Sequence, residues 1–538
     1  MRTPRENPAA LPPMRPLRAA APQLAGDDAA GGGIAIAAPH PAGVAAAQAV
    51  VADGGGVVDA ALAAAAALTV AYPHQCSVGG DLVALFRSAD GTVRAVLSAG
   101  AAAQALDVEA LRSGVSGSTR PATGPPGEWP RMPPGGPLTV TVPGVVAGWA
   151  ALAGLGGRLP PHRVLAPAVA LARDGVPVCD GLARATRARL DVVKADPGLS
   201  ALLIGASGEP LPAGAALRQP ALAATLESVA ADWRSFYTGE VARRLVEGLR
   251  KLGSPLRASD FAGHRAEVCE PLRGEAGAMT WWAAPPPSQG ASLLAVLTSA
   301  GGLLTAARAA ESRRDALLGD PRTGTVDLDG LMLRADRAVD DLPQGPKPAG
   351  DTVAVTAVAA DGSAVTLIQS VFQSFGSGLL EPSTGVVLHN RGSAFSLVPG
   401  HPGEARPGAR PPHTLCPAIG TSQGDVVALG CQGGRAQPWI LAQVAGDVAE
   451  ARDLTTLLAR PRWVIGARDL GVDVPSLVLE PGVHDAGVLR ATALDLGLAV
   501  AEFPALHDDA GHVQAARLTR EGLAAASDPR ADGAAWVM

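Results

Sequence analysis

The chain has 538 residues, of which 47% are hydrophobic and only 3% aromatic, so its core must be assembled from Ala, Val and Leu rather than from rings. That length exceeds the roughly 250–300 residues at which one hydrophobic core stops growing, which implies several lobes or one large layered body. Forty-four basic against 50 acidic residues give a net charge of −6 without a basic block, which argues against nucleic acid as a partner.

Residues 1–33 are rich in Pro and Gly and lack periodicity, so they read as a disordered leader ending in Gly31-Gly32-Gly33. No continuous apolar run of a secretory signal precedes that triplet, and a cytoplasmic location is expected. GIAIAAPHPAG then reads as a strand and turn, and Val44–Val51 and Val57–Val70 as two helices. The Ala-rich run from Ala60 to Val70 is short of the ~20 residues that span a bilayer, so it is read as a buried helix and no membrane segment is expected. LVALFRSADGTVRAVL is a hairpin about Asp90-Gly91, whose glycine takes a positive φ at little cost. A Pro/Gly loop at 119–137 leads into LTVTVPGVVAGWAAL, which reads as a strand passing into a helix, and mostly helical sequence follows from Pro161 to Leu252. Residues 321–349 lack strong periodicity, carry Pro343, Pro346 and Pro348, and read as an exposed connector. Immediately afterwards TVAVTAVAADGSAVTLIQSV reads as a second hairpin about Asp361-Gly362, its first strand beginning at Thr352.

Motifs of several commoner chemistries are absent: the chain has no GxGxxG after a strand, no GxxxxGK[ST] and no HExxH. Its five cysteines, Cys76, Cys179, Cys269, Cys416 and Cys431, form neither a CxxC nor a metal-ligand spacing, so free thiols and no metal site are expected. His40, His74, His413 and His512 are widely separated, and none is assigned as a general base.

An ordered series of blocks nevertheless resembles the gamma-glutamyltranspeptidase family. It opens with AAPHPAGVAAAQAVVADGGGVVDAALAAAAALTVAYPHQCSVGGDLVALF at 37–86 and continues with VPGVVAGWAAL, LAPAVALARDGVPV, APPPSQG, GDTVAVTAVAADGSAV, FGSGLLEPSTGVVLHNRG, RPPHTLCPAI and QGGRAQP. GHVQAARL and SDPRADGAA near the end extend the resemblance over about residues 34–538.

The resemblance implies an α/β (α+β) fold, the four-layer αββα sandwich of N-terminal-nucleophile hydrolases. It further implies self-cleavage between Asp351 and Thr352 into a large piece, 34–351, and a small piece, 352–538, which pair with each other. Thr352 is then the nucleophile, and its freed amine, with a pKa of about 7.7–8, is the base, so no separate His or cofactor is needed. By the same resemblance Ser370 stands beside that amine, Gly433 and Gly434 supply an oxyanion hole, and His413 and Thr414 contact substrate; a homo-oligomer of the processed unit is open. Alternatives for these residues are an ordinary strand Ser, a tight turn and a structural His.

Several positions depart from the family's gamma-glutamyl-cleaving members. Thr352-Val353-Ala354 replaces Thr-Thr-His, and SAGAAAQALD, with Gly100 or Ala101 at the critical place, lacks the Arg that holds the glutamyl α-carboxylate. Ala394 stands where an Asp holds the α-amino group, and Arg391 where a Gln is usual. A different acyl acid is therefore expected; Arg391, if it faces the pocket, favours a substrate carboxylate placed elsewhere, the alternative being a solvated loop Arg. The expected activity is a hydrolase or acyltransferase working through an acyl-enzyme. Alternatives are a carbon–carbon bond hydrolase of the kind found in 4-alkylproline antibiotic biosynthesis, and a non-catalytic scaffold.

Overall fold

A computed structural model describes residues 33–114, 130–335 and 351–538, apart from 468, 469 and 473. The expected leader before Gly33, residues 119–129 of the Pro/Gly loop and residues 336–349 of the connector lie outside the described residues.

Two β-sheets stack face to face between two layers of helices. The first sheet has seven strands, in the order Ala534–Val537, Ile34–Ala38, Asp351–Ala359, Ala364–Phe372, Asp81–Arg87, Val93–Ser98 and Glu267–Cys269. The second has six: Gly522–Ser527, Val513–Thr519, Val426–Cys431, Ala418–Thr421, Met279–Ala283 and Leu272–Ala276. Both expected hairpins form, with Gly91 and Gly362 at positive φ in their turns. Helices that include Pro41–Ala52, Val57–Ala71 and Val145–Gly156 cover the first sheet, while Gly290–Leu297, Leu303–Leu317 and Gln437–Ala445 cover the second. The expected αββα sandwich is what the chain forms.

Composition explains how closely these layers approach. Every residue of the helix Val57–Ala71 is buried, and a Cβ added at Gly430 would lie 3.0 Å from the Ala354 side chain on the opposing sheet. Small side chains thus replace rings as the filling between sheets. Along Asp351–Ala359, Val353, Val355 and Ala357 face the helical layer, whereas Ala354 and Val358 face the other sheet. The two-residue period of a strand therefore turns Thr352, like Ala354, toward the gap between the sheets.

Two local expectations need correction. LTVTV is not a strand: Pro137–Thr139 is a single 3-10 turn, and Val140–Val142 stays outside any ladder. Its alternation reflects burial on both sides, with the Val142 N–H on the Ala101 carbonyl and Thr141 on His389. The first strand of the second hairpin begins at Asp351, one residue before Thr352. A small three-stranded sheet, Trp463–Gly466, Ser476–Leu479 and Ala499–Glu502, with the helix Ala486–Asp495, is appended beyond the second layer.

Candidate active site

The hairpin ladder pairs Gln369 with Val353 and then slips before Phe372 meets Asp351. Phe372, at φ 81°, takes up the irregularity. This bulge turns Ser370 onto its neighbours. Its Oγ accepts the Phe372 N–H at 2.8 Å, accepts the Thr352 hydroxyl at 3.1 Å and donates to the Asp351 carbonyl at 2.6 Å. One hydroxyl thereby uses its single proton and both lone pairs. Thr352 and Ser370 are both buried, and burial raises the Asp351 carboxyl to about 6.

One strand over, Asp81 is in register with Ser370 and is 1% exposed. Its carboxylate receives the Gly100 N–H at 3.0 Å and His413 Nε2 at 3.1 Å, with His389 Nδ1 at 3.4 Å. Burial alone would raise this carboxyl, but the two imidazoles hold it well below the usual carboxylate range. His413 Nδ1 accepts the Leu415 N–H, which leaves the ring proton on Nε2, facing Asp81. Burial, reinforced by Arg391, lowers the His413 pKa to about 4, so the ring is neutral at pH 7. His389 turns Nε2 toward the Thr141 carbonyl at 2.9 Å.

Arg391, in the 3-10 turn Arg391–Ala394, is 1% exposed. Its guanidinium lies 3.5 Å from the centroid of the Phe372 ring, a cation–π contact, and Nη2 donates to the Thr414 hydroxyl at 3.0 Å. Nη1 is buried without a hydrogen bond, and among the described residues no carboxylate pairs with this side chain. Burial pulls its pKa down to about 9 against the opposing pull of Asp81.

Phe372, Thr414, Ala394, Arg314, Asp315 and Arg435 are among the residues lining a cavity of about 60 Å³. Gly433 and Gly434 follow the strand Val426–Cys431 at φ 148° and 52°, and neither N–H carries a hydrogen bond among the described residues. Gln289 Nε2 ties their loop to the cavity wall, donating to the Thr414 carbonyl at 2.6 Å and the Gly434 carbonyl at 2.9 Å.

The fold thus joins Thr352, Ser370 and Asp351 in one group and Arg391 and Thr414 in another, with Phe372 linking the two. His413 is fully buried against Asp81, and His413, Arg391 and Thr352 are not among the described residues that line the cavity. Asp81, His389, Gln289 and Phe372 escape the sequence reading. An Asp opening the apolar strand DLVALFR is the one signal that points to any of them. Gly100 has no room for a side chain, because a Cβ there would sit 1.5 Å from the Val142 carbonyl oxygen.

Comparison with known proteins identifies the family and the fold. The family model for gamma-glutamyltranspeptidase matches residues 43–538. The oxamate amidohydrolase proenzyme of Klebsiella pneumoniae is 35% identical over 87% of this chain and 92% of its own. The glutathione hydrolase-like YwrD proenzyme of Bacillus subtilis is 30% identical over 87% of this chain and 91% of its own. The crystal structure of cephalosporin acylase from Bacillus halodurans superposes with a TM-score of 0.81 at 27% identity, covering 97% of this chain and 99% of that one. The chain belongs to the gamma-glutamyltranspeptidase family and is an enzyme with the N-terminal-nucleophile hydrolase fold.

Proposed function

We propose that the chain cuts itself between Asp351 and Thr352 and then uses Thr352 to hydrolyse the amide of a small acyl acid that carries its own carboxylate. The hydrogen-bonded chain from the Thr352 hydroxyl through Ser370 to the Asp351 carbonyl carries this reading. As Thr352 Oγ1 attacks the Asp351 carbonyl carbon, its proton passes to Ser370 Oγ, and the Ser370 proton passes to the carbonyl oxygen. Collapse breaks the C–N bond, the nitrogen takes up a proton, and water hydrolyses the resulting ester.

The freed Thr352 amine, with a pKa of about 7.7–8, is partly unprotonated at neutral pH and takes the proton of its own hydroxyl. That oxygen attacks the substrate carbonyl, and the Gly433 and Gly434 N–H groups receive the developing oxyanion. The amine departs with the proton, and water releases the acyl group by the same steps.

Substrate class follows from charge. A buried guanidinium without a carboxylate partner is costly, and a substrate carboxylate at Arg391 would complete it. Both places that hold a glutamyl group in gamma-glutamyl-cleaving members are closed to that use: Val142 fills the space above Gly100, and Ala394 lines the cavity without charge. Oxamate, named for the Klebsiella relative, is the half-amide of a two-carbon diacid and suits a small cavity behind whose lining residues Phe372 and Thr414 the Arg391 guanidinium lies. It and other short half-amides are the substrates to try first.

Fresh protein on a denaturing gel should show two bands, with a new amino terminus at Thr352, and should release ammonia from oxamate faster than it cleaves gamma-glutamyl amides. Thr352→Ala should give one intact, inactive chain. An uncut chain that turns over substrate, or efficient cutting of the Thr352→Ala protein, would sink the proposal.

A further inference from the structure

We infer that Asp81 is a positioning residue for the acyl pocket, acting through His413 and Thr414 to hold Arg391 where a substrate carboxylate can reach it. The inference rests on the reading of Arg391 given above.

Three observations converge on Asp81. First, it stands beside Ser370 in the ladder, one strand farther from Thr352, in the part of the sheet that faces the site. Second, its carboxylate joins four separate segments: its own strand, Gly100 after the next strand, His389 before the Arg391 turn, and His413 in the loop that enters the second sheet. Third, the segments carrying the two histidines also carry the Arg391 contact, because His389 lies two residues before Arg391 and His413 one before Thr414. The His413 hydrogen bond to this carboxylate, with His389 Nδ1 packed 3.4 Å from it but not hydrogen-bonded, therefore positions the segments that carry the two partners of the Arg391–Thr414 hydrogen bond, 3.0 Å long.

Asp81 has no spare capacity to bind substrate directly. Its Oδ1 takes the Gly100 N–H and its Oδ2 faces both imidazoles, all in a site 1% exposed. Its negative charge is also the nearby charge that favours the charged form of Arg391 before substrate arrives. An asparagine here would keep the size but turn an NH2 group toward donors, either Gly100 or His413, and would remove that charge.

The test uses the processed enzyme with oxamate and with pyruvamide, which has a methyl where oxamate has a carboxylate oxygen. Asp81→Asn should raise KM for oxamate by roughly tenfold or more, the loss of one charge-assisted contact, with a much smaller fall in kcat. The preference for oxamate over pyruvamide should shrink by a similar factor. Thr414→Val, which cuts only the last link, should do the same, and the double variant should add little to either. If Asp81→Asn proves insoluble, His413→Phe, which keeps a ring in place but removes the hydrogen bond to Asp81, takes its place.

Preference retained in either variant, while Arg391→Met abolishes it, would overturn the role of Asp81 and leave Arg391 as the anchor. Equal losses of kcat on both substrates would also overturn it, since they would report general damage. Preference retained in Arg391→Met, or no turnover of either amide by the parent enzyme, would instead overturn the carboxylate-anchor reading and the inference with it.

Discussion

Replacing Ser370 with alanine separates the two tasks that its hydroxyl performs in the uncut chain. The Ser370 hydroxyl donates to the Asp351 carbonyl oxygen at 2.6 Å, where negative charge would develop in the proposed attack by Thr352. One donor to such an oxyanion is worth roughly 10²–10³ in rate, or about 3–4 kcal/mol. The same oxygen also receives the Thr352 hydroxyl, so its loss removes the proton acceptor as well and places the expected slowing at the upper end, roughly 10³-fold. A second cost is structural: the Phe372 N–H loses its partner, for about 1–3 kcal/mol of stability. Denaturant unfolding of Thr352→Ala with and without Ser370→Ala measures that second cost in chains that cannot cut. A gel time course of the Ser370→Ala chain from the moment of synthesis measures the first. Cutting at close to the parent rate would refute the relay, whatever the stability change.

Arg391→Met should lower kcat/KM for oxamate by roughly 10²-fold or more, while denaturant unfolding shows little loss of stability, because it removes a buried charge that lacks a carboxylate partner. In the uncut Thr352→Ala chain, the Asp351 carboxyl is raised to about 6 from an unfolded value of about 3.9, so the folded state binds more protons between these values. Its stability contribution is present below about pH 4 and lost as pH rises through 6; melting temperatures across that window should fall, and adding Asp351→Asn should flatten the slope. Gly100→Ala should cost roughly 4 kcal/mol or more, since the obstacle 1.5 Å from the new Cβ is backbone; near-parent stability in urea would contradict the packing described for Val142.

Local signals carried the layered fold. Asp90-Gly91 and Asp361-Gly362 mark hairpins because a tight turn needs a positive φ that glycine takes at little cost, and the Ala-rich stretch at 57–71 is helical and wholly buried. LTVTV misleads because alternation records burial, and an irregular segment clamped between layers can be buried on alternate sides without pairing. In the site, Thr352 and Ser370 are legible through the family resemblance, and adjacent strands bring them together. Asp81 is not, because its partner His413 lies 332 residues away and no short-range pattern encodes that contact. His413 reads as a substrate contact from its place in a motif, and the contact that its buried ring makes with Asp81 is visible only in the fold.

The order of strands in the seven-stranded sheet has a mechanical consequence. Ile34–Ala38, from before position 351, is clasped between Ala534–Val537 and Asp351–Ala359, both from after it, and Ala364–Phe372 is zipped to Asp81–Arg87 on the far side. A single backbone break at 351 would leave the two polypeptides woven like the teeth of one fastener. They should unfold together in one transition, and neither should be recoverable in native form without the other.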